Sequence, residues 1–176
     1  ASGDQKSANS TFTVTLVLSA VLSLIFVLLG ALASRPLTTF LKADSEVFEM
    51  THQYLKVILL FAPAFIFSNV FASFVRNDGN PKLAMFATLF GSLFNIVFDY
   101  VLIFPCGLGI LGAVLATGIA PVTGIVICGF HWILKKGPLR VAKTDFKPKT
   151  VFSVLGLGLP SLVTEFAGGI VMIVFN

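Results

Sequence analysis

Five stretches of the chain read as apolar runs separated by short polar joints: Thr11–Ala33, Val57–Val75, Leu83–Phe104, Ile110–Leu134 and Thr150–Asn176. Thr11 to Ser34 and Val57 to Val75 hold no charged residue, Leu83 to Leu134 holds only Asp99, and Thr150 to Asn176 holds only Glu165. A bilayer core about 30 Å thick needs about 20 apolar residues in a helix, whereas helices buried in soluble cores rarely stay apolar past about 14. The pattern predicts five membrane-spanning helices of alternating direction. The fold class is therefore all-α, a polytopic transmembrane helix bundle.

The joints orient the bundle. Six of the twelve basic residues fall between Lys135 and Lys149, and Arg76 and Lys82 flank the tight turn Asn77-Asp78-Gly79-Asn80-Pro81. Lys and Arg excess marks the cytoplasmic side, which places the 1–10 tail, the 76–82 turn and the 135–149 loop inside. The mixed-charge 35–56 segment, and the uncharged turn from Phe104 to Gly109, then fall outside. The first run is expected to start at the inner side.

Composition agrees with a membrane protein: 56% of residues are hydrophobic and 11% charged, against about 25% charged in soluble domains. The net charge of +4 sits mainly in the 135–149 loop, so no nucleic-acid partner is expected. Cys106 and Cys128 are 22 residues apart on one expected helix, about 33 Å, too far for a disulfide. No zinc spacing and no phosphate-loop motif occur, so no cofactor is expected and the energy for any transport must come from an ion gradient or a partner. The start without Met and the end inside an apolar run suggest a fragment of a longer protein.

Small residues mark where helices should touch. Gly112, Ala116, Ala120 and Gly124 recur every four residues in the fourth run, and such stripes let transmembrane backbones approach closely. Phe61, Phe65, Phe67, Phe71 and Phe74 are expected to meet lipid, and His131-Trp132 to act as an interfacial anchor.

Two acids inside the runs carry the candidate chemistry. An ionisable residue at a helix centre costs about 2.5–3.5 kcal/mol on insertion scales, and such residues usually face the bundle interior and mark ion pathways. Thr88, Gly91, Ser92, Asn95 and Asp99 share one arc of their helix, while Phe86, Phe90, Phe94 and Phe98 form another. In the next run Pro121 lacks an N–H and frees the carbonyl of Thr117, a kink that could serve an ion site. Counted from Gly107, Asp99 and Thr117 fall at similar depth, about 12–15 Å along their helices. Asn95, Asp99 and Thr117 are expected to form one polar cluster. Glu165 shares an arc with Ser161, Thr164, Gly168 and Gly169 just past a second helix-weakening Pro160, and is expected to face protein or a cavity. The plainer alternatives are an interfacial Asp99, an ordinary proline kink and a structural Glu165.

The ordered motifs Tyr54-Leu55-Lys56-Val57, Arg76-Asn77-Asp78-Gly79-Asn80-Pro81, the run from Asn95 to Phe104, the run from Gly109 to Thr117 and Gly158-Leu159-Pro160-Ser161 resemble the multidrug and toxic compound extrusion (MATE) family over almost the whole chain. The resemblance implies a fragment covering helices three to seven of a two-lobe, twelve-helix transporter. Residues 1–149 would belong to the amino-terminal lobe with its inter-lobe loop, and 150–176 would begin the carboxy-terminal lobe. The family exports cationic or amphipathic compounds in exchange for Na+ or H+. It places an ion site on an Asn and an Asp of helix five and a Thr of helix six, matching Asn95, Asp99 and Thr117, and some members use an acid on helix seven, which Glu165 is similar to. The resemblance further implies no enzyme activity, the lipid bilayer, a small substrate and the missing helices as partners, and a bacterial plasma membrane. A lipid-linked oligosaccharide flippase of the same superfamily, or a non-transporting membrane scaffold, are the alternatives.

Overall fold

The computed structural model describes residues 2–41, 44–134, 141 and 148–175, and among these it contains helices and no strand. Seven helices follow one another: α1 (Ser2–Leu32), α2 (Ser34–Phe40), α3 (Phe48–Leu60), α4 (Ala62–Asn77), α5 (Pro81–Ile103), α6 (Gly109–Ile133) and α7 (Pro148–Val174). Four are long and apolar enough to cross a membrane, or five when the bent pair α3 and α4 counts as one span. Helices satisfy every backbone N–H and C=O internally, which the bilayer core requires. The basic loop of residues 135–149 lies largely outside the described residues.

The second span is longer than the charge gap predicts and it is broken. α3 and α4 meet at Phe61 with a bend of 43°. Pro63, in the first turn of α4, has no N–H to give and its ring presses on the carbonyl four residues back. Pro121 and Pro160 instead lie inside continuous helices. Before α3, the polar joint holds the short helix α2, whose Thr38 hydroxyl donates to the Ser34 carbonyl. Arg35 pairs with Glu49 at 2.8 Å, and Ser34 Oγ lies 3.1 Å from His52 Nε2, so α2 is tied to α3.

Both tight turns are built from local chemistry. After α4, Gly79 takes φ 87° and the Asn80 N–H closes on the Val75 carbonyl at 3.1 Å, the glycine-ended helix stop. Asn80 then caps α5 by accepting from the Leu83 N–H, and Pro81 opens that helix. After α5, Gly107 and Gly109 have φ 65° and 53°, values a side chain would resist.

Two compact units make up the chain: Ala1–Thr15 with Arg140–Asn176, and Leu16–Leu139. The first contains the start of α1 and α7. In the second, α6 packs against α4 and α5 through its small residues. Gly112, Ala116, Ala120, Gly124 and Cys128 are all buried. A Cβ on Gly112 would stand 2.8 Å from the Leu102 backbone, one on Gly118 2.5 Å from the Phe61 ring, and one on Gly124 2.7 Å from Ser68 Oγ. These pairings run α5 antiparallel and α4 parallel to α6, as alternating spans require.

Phe61 at the bend and Phe71 of α4 meet protein, where lipid contact was expected. Phe61 covers Gly118, and Phe71 packs edge-on to Trp132 with ring centroids 5.0 Å apart. Periodicity marks an apolar face but not whether lipid or a helix meets it.

Gly112→Ala in the full-length protein is expected to lower the apparent Tm by several degrees, since overpacking against backbone costs about 1–3 kcal/mol. Gly129→Ala, where nothing lies within 4 Å, should leave it unchanged. Thermal challenge followed by size-exclusion of the detergent-solubilised protein measures both, and equal melting would refute the close contact.

Candidate functional site

α4, α5 and α6 line an open cavity of about 290 Å³. Asn95 and Thr117, on α5 and α6, both line it, with Thr88, Gly91 and Ser92 from the same arc of α5, Ser68 and Asn69 from α4, and Pro121 and Gly124 from α6. None of its lining residues is charged. The polar face of α5 thus turns to the cavity. Its phenylalanine stripe stacks on itself, Phe94 on Phe98 at 4.0 Å and Phe86 on Phe90 at 5.9 Å.

Three of the six polar side chains that line the cavity are committed to their own helix. Thr88 donates to the Ala84 carbonyl, Ser92 to the Thr88 carbonyl and Asn69 to the Phe65 carbonyl. Asn95 differs: its Nδ2 is buried and has no hydrogen-bond partner among the described residues. Thr117 makes no such bond to its helix among the described residues either, although it stands next to the carbonyls that Pro121 disturbs. A buried polar atom without a partner costs about 1–3 kcal/mol, a cost that a bound water or ion can offset.

Asp99 follows Asn95 by one helical turn. Its Oδ1 is buried and without a partner among the described residues, yet Asp99 is not part of the cavity lining. Of the three residues expected to cluster, the structure brings Asn95 and Thr117 to one cavity and leaves Asp99 beyond its edge. Glu165 lies in the other compact unit, exposed on α7, where Thr164 donates to the Pro160 carbonyl at 3.0 Å. Among the described residues no group of three or more His, Cys, Asp or Glu could hold a metal ion. Cys106 and Cys128 are both free thiols.

The sequence reading passed over His52 and gave His131 only an interfacial place. His131 is buried, and its Nε2 lies 3.0 Å from Asp78 Oδ2 in the α4–α5 turn. His52 lies beside Ser34 and 3.7 Å from Glu49. The Asp78–His131 partners are 53 residues apart, so no local spacing signals the pair.

These features define the class: an integral membrane protein of small-residue-packed helices around a cavity lined in part by polar side chains. The chain belongs to the MatE family, whose profile matches residues 1–101. It is 27% identical over 158 residues to the multidrug export protein MepA of Staphylococcus saprophyticus, covering 89% of this chain and 35% of that protein. It is 28% identical over 157 residues to MepA of Staphylococcus aureus strain RF122, covering 88% and 35%. The chain spans about a third of the length of these curated relatives. Among solved structures it superposes on the outward-facing form of a multidrug resistance MATE transporter with TM-score 0.86 and 28% identity, over 97% of this chain and 38% of that one. A transporter of Pyrococcus furiosus, described as having a binding pocket of reversed polarity and a different function, matches with TM-score 0.81 and 29% identity, over 97% and 38%.

Cysteines placed at Asn95 or Thr117 of the full-length protein are expected to react with a small water-soluble methanethiosulfonate. A cysteine at Ile96, on the outward apolar side of α5, should stay unreactive in the bilayer. Labelling followed by mass spectrometry distinguishes them, and equal labelling at all three would mean the cavity is not a watery site.

Proposed function

We propose that the full-length protein is a secondary active transporter that exports cationic or amphipathic compounds in exchange for Na+ or H+. In this reading residues 1–149 belong to its amino-terminal lobe, residues 150–176 begin its carboxy-terminal lobe, and Asn95, Thr117 and Asp99 form part of the coupling site. One observation carries it: Asn95 and Thr117 meet at one uncharged cavity, and a buried carboxylate oxygen without a partner lies one turn beyond.

The chemistry follows from the donor set. An amide oxygen, a hydroxyl and a carboxylate are the hard oxygen ligands that small hard cations take. The same Asp99 oxygen can hold a proton, but a lone pair that holds a proton does not hold Na+. Exchange of one for the other leaves the net charge of the site unchanged but replaces an O–H bond by ligation of an ion, and a cationic substrate competes for the same carboxylate. Asn95 and Thr117 line a cavity between α4, α5 and α6, which supports a site whose occupancy acts on the packing of three helices at once. Glu165 gives the carboxy-terminal lobe an acid of its own. The family resemblance and the multidrug export proteins among the relatives supply the substrate class.

A flippase for pyrophosphate-linked lipids needs cationic groups in the membrane, and the apolar runs contain no Lys or Arg. A scaffold gains nothing from a buried Asp99, which costs about 2.5–3.5 kcal/mol at a helix centre.

Efflux of a fluorescent cationic dye from vesicles holding the full-length protein, with Na+ and pH gradients imposed separately, tests the proposal. Wild type is expected to move dye under at least one gradient. Asp99→Asn and Thr117→Val should slow it by about tenfold or more, the equivalent of ~1.4 kcal/mol, with Glu165→Gln slowing it independently. No movement under either gradient sinks the exporter reading, and full-rate export by Asp99→Asn removes Asp99 from the coupling site.

A further inference from the structure

The geometry points to a proton-operated latch formed by Asp78 and His131, which fastens the α4–α5 turn to the end of α6. It is separate from the cavity and does not rest on the coupling site proposed above. Both side chains are only 2% exposed, and they meet at 3.0 Å. His131 Nδ1 is also buried and has no hydrogen-bond partner among the described residues, so Asp78 is the ring's one hydrogen-bond partner among them, beside an edge-on contact with Trp132.

Charge bookkeeping gives the latch its trigger. With Asp78 ionised and His131 protonated the pair is neutral and joined by a charge-assisted hydrogen bond. When that proton leaves to water, the carboxylate's full charge stays behind. A buried charge without a counter-charge is strongly unfavourable, so the turn is driven to lift and hydrate it. The other charged groups on the elements packed there do not substitute. Arg76 at the end of α4 and Lys82 at the start of α5 are both exposed, and neither pairs with Asp78. Among the described residues the only further titratable side chain at this end of α6 is the thiol of Cys128, three residues before His131. Lys135 and Lys136, which follow α6, lie outside the described residues.

The surroundings make the latch consequential. Asp78 and Gly79 form the joint of α4 with α5. Just inside it, Val75, Ala84, Ala87 and Cys128 make a buried cluster covered by Phe71 and Trp132. Ala87 also lines the cavity. Opening the turn therefore loosens the packing that closes this end of the lobe, and loading with a proton closes it again.

Cys128 reports the state directly, because it is fully buried in that cluster, while exposed Cys106 provides an internal reference. The purified full-length protein in detergent is treated with N-ethylmaleimide from about pH 5.5 to 8, within the range where imidazoles change charge. Mass spectrometry gives the ratio of Cys128 to Cys106 labelling. The ratio is expected to rise several-fold with pH in wild type and to be less pH-dependent in the double variant Asp78→Asn/His131→Gln, which has no charge to lose at this place. A ratio that does not change with pH in wild type, a measurement that needs no variant, overturns the latch. So does a rise of the same size in the double variant.

Discussion

The second compact unit depends on one face of α6 having almost no side chain. Gly112, Ala116, Ala120, Gly124 and Cys128 recur every four residues and are buried. Where lipid is as apolar as leucine, helices gain little from hiding hydrophobic surface and associate through close van der Waals contact. The glycines grant that contact: Leu102 backbone fits over Gly112, the Phe61 ring over Gly118, and Ser68 over Gly124. The cavity exists because α4 and α5 are both held to this face, and the polar arc of α5 is aimed by it.

That much was legible in the sequence, since the same physics writes it there. Gaps without charge as long as a bilayer is thick reveal spans, and the four-residue stripe on α6 reveals a packing face. The arc read over Thr88, Gly91, Ser92, Asn95 and Asp99 predicted a polar side, and the cavity lining contains all of these but Asp99. Other features were not legible. Phe65 and Phe71 carry the same apolar signal whether they meet lipid or α6. The break at Phe61 comes from Pro63 at a helix start, where proline is ordinarily tolerated. Asp78 and His131 read separately as a turn residue and an interfacial residue, and only the fold brings them together.

Asp99 shows where helix arithmetic stops. Its turn and depth follow from counting residues, but whether it opens to the cavity depends on side-chain direction. The structure leaves its Oδ1 buried and without a partner among the described residues, and sets Asn95 and Thr117 together without it. The chain covers about a third of its curated relatives, and the proposed coupling site assigns this acid to ion binding.

The central claim is that Asp99 exchanges a proton for a cation. The most direct measurement is proton release from the purified full-length protein in weak buffer when Na+ or a cationic dye is added, followed with a pH-sensitive fluorophore. The account predicts release from wild type for at least one of the two additions, and smaller release from Asp99→Asn. Equal release from both proteins would contradict it.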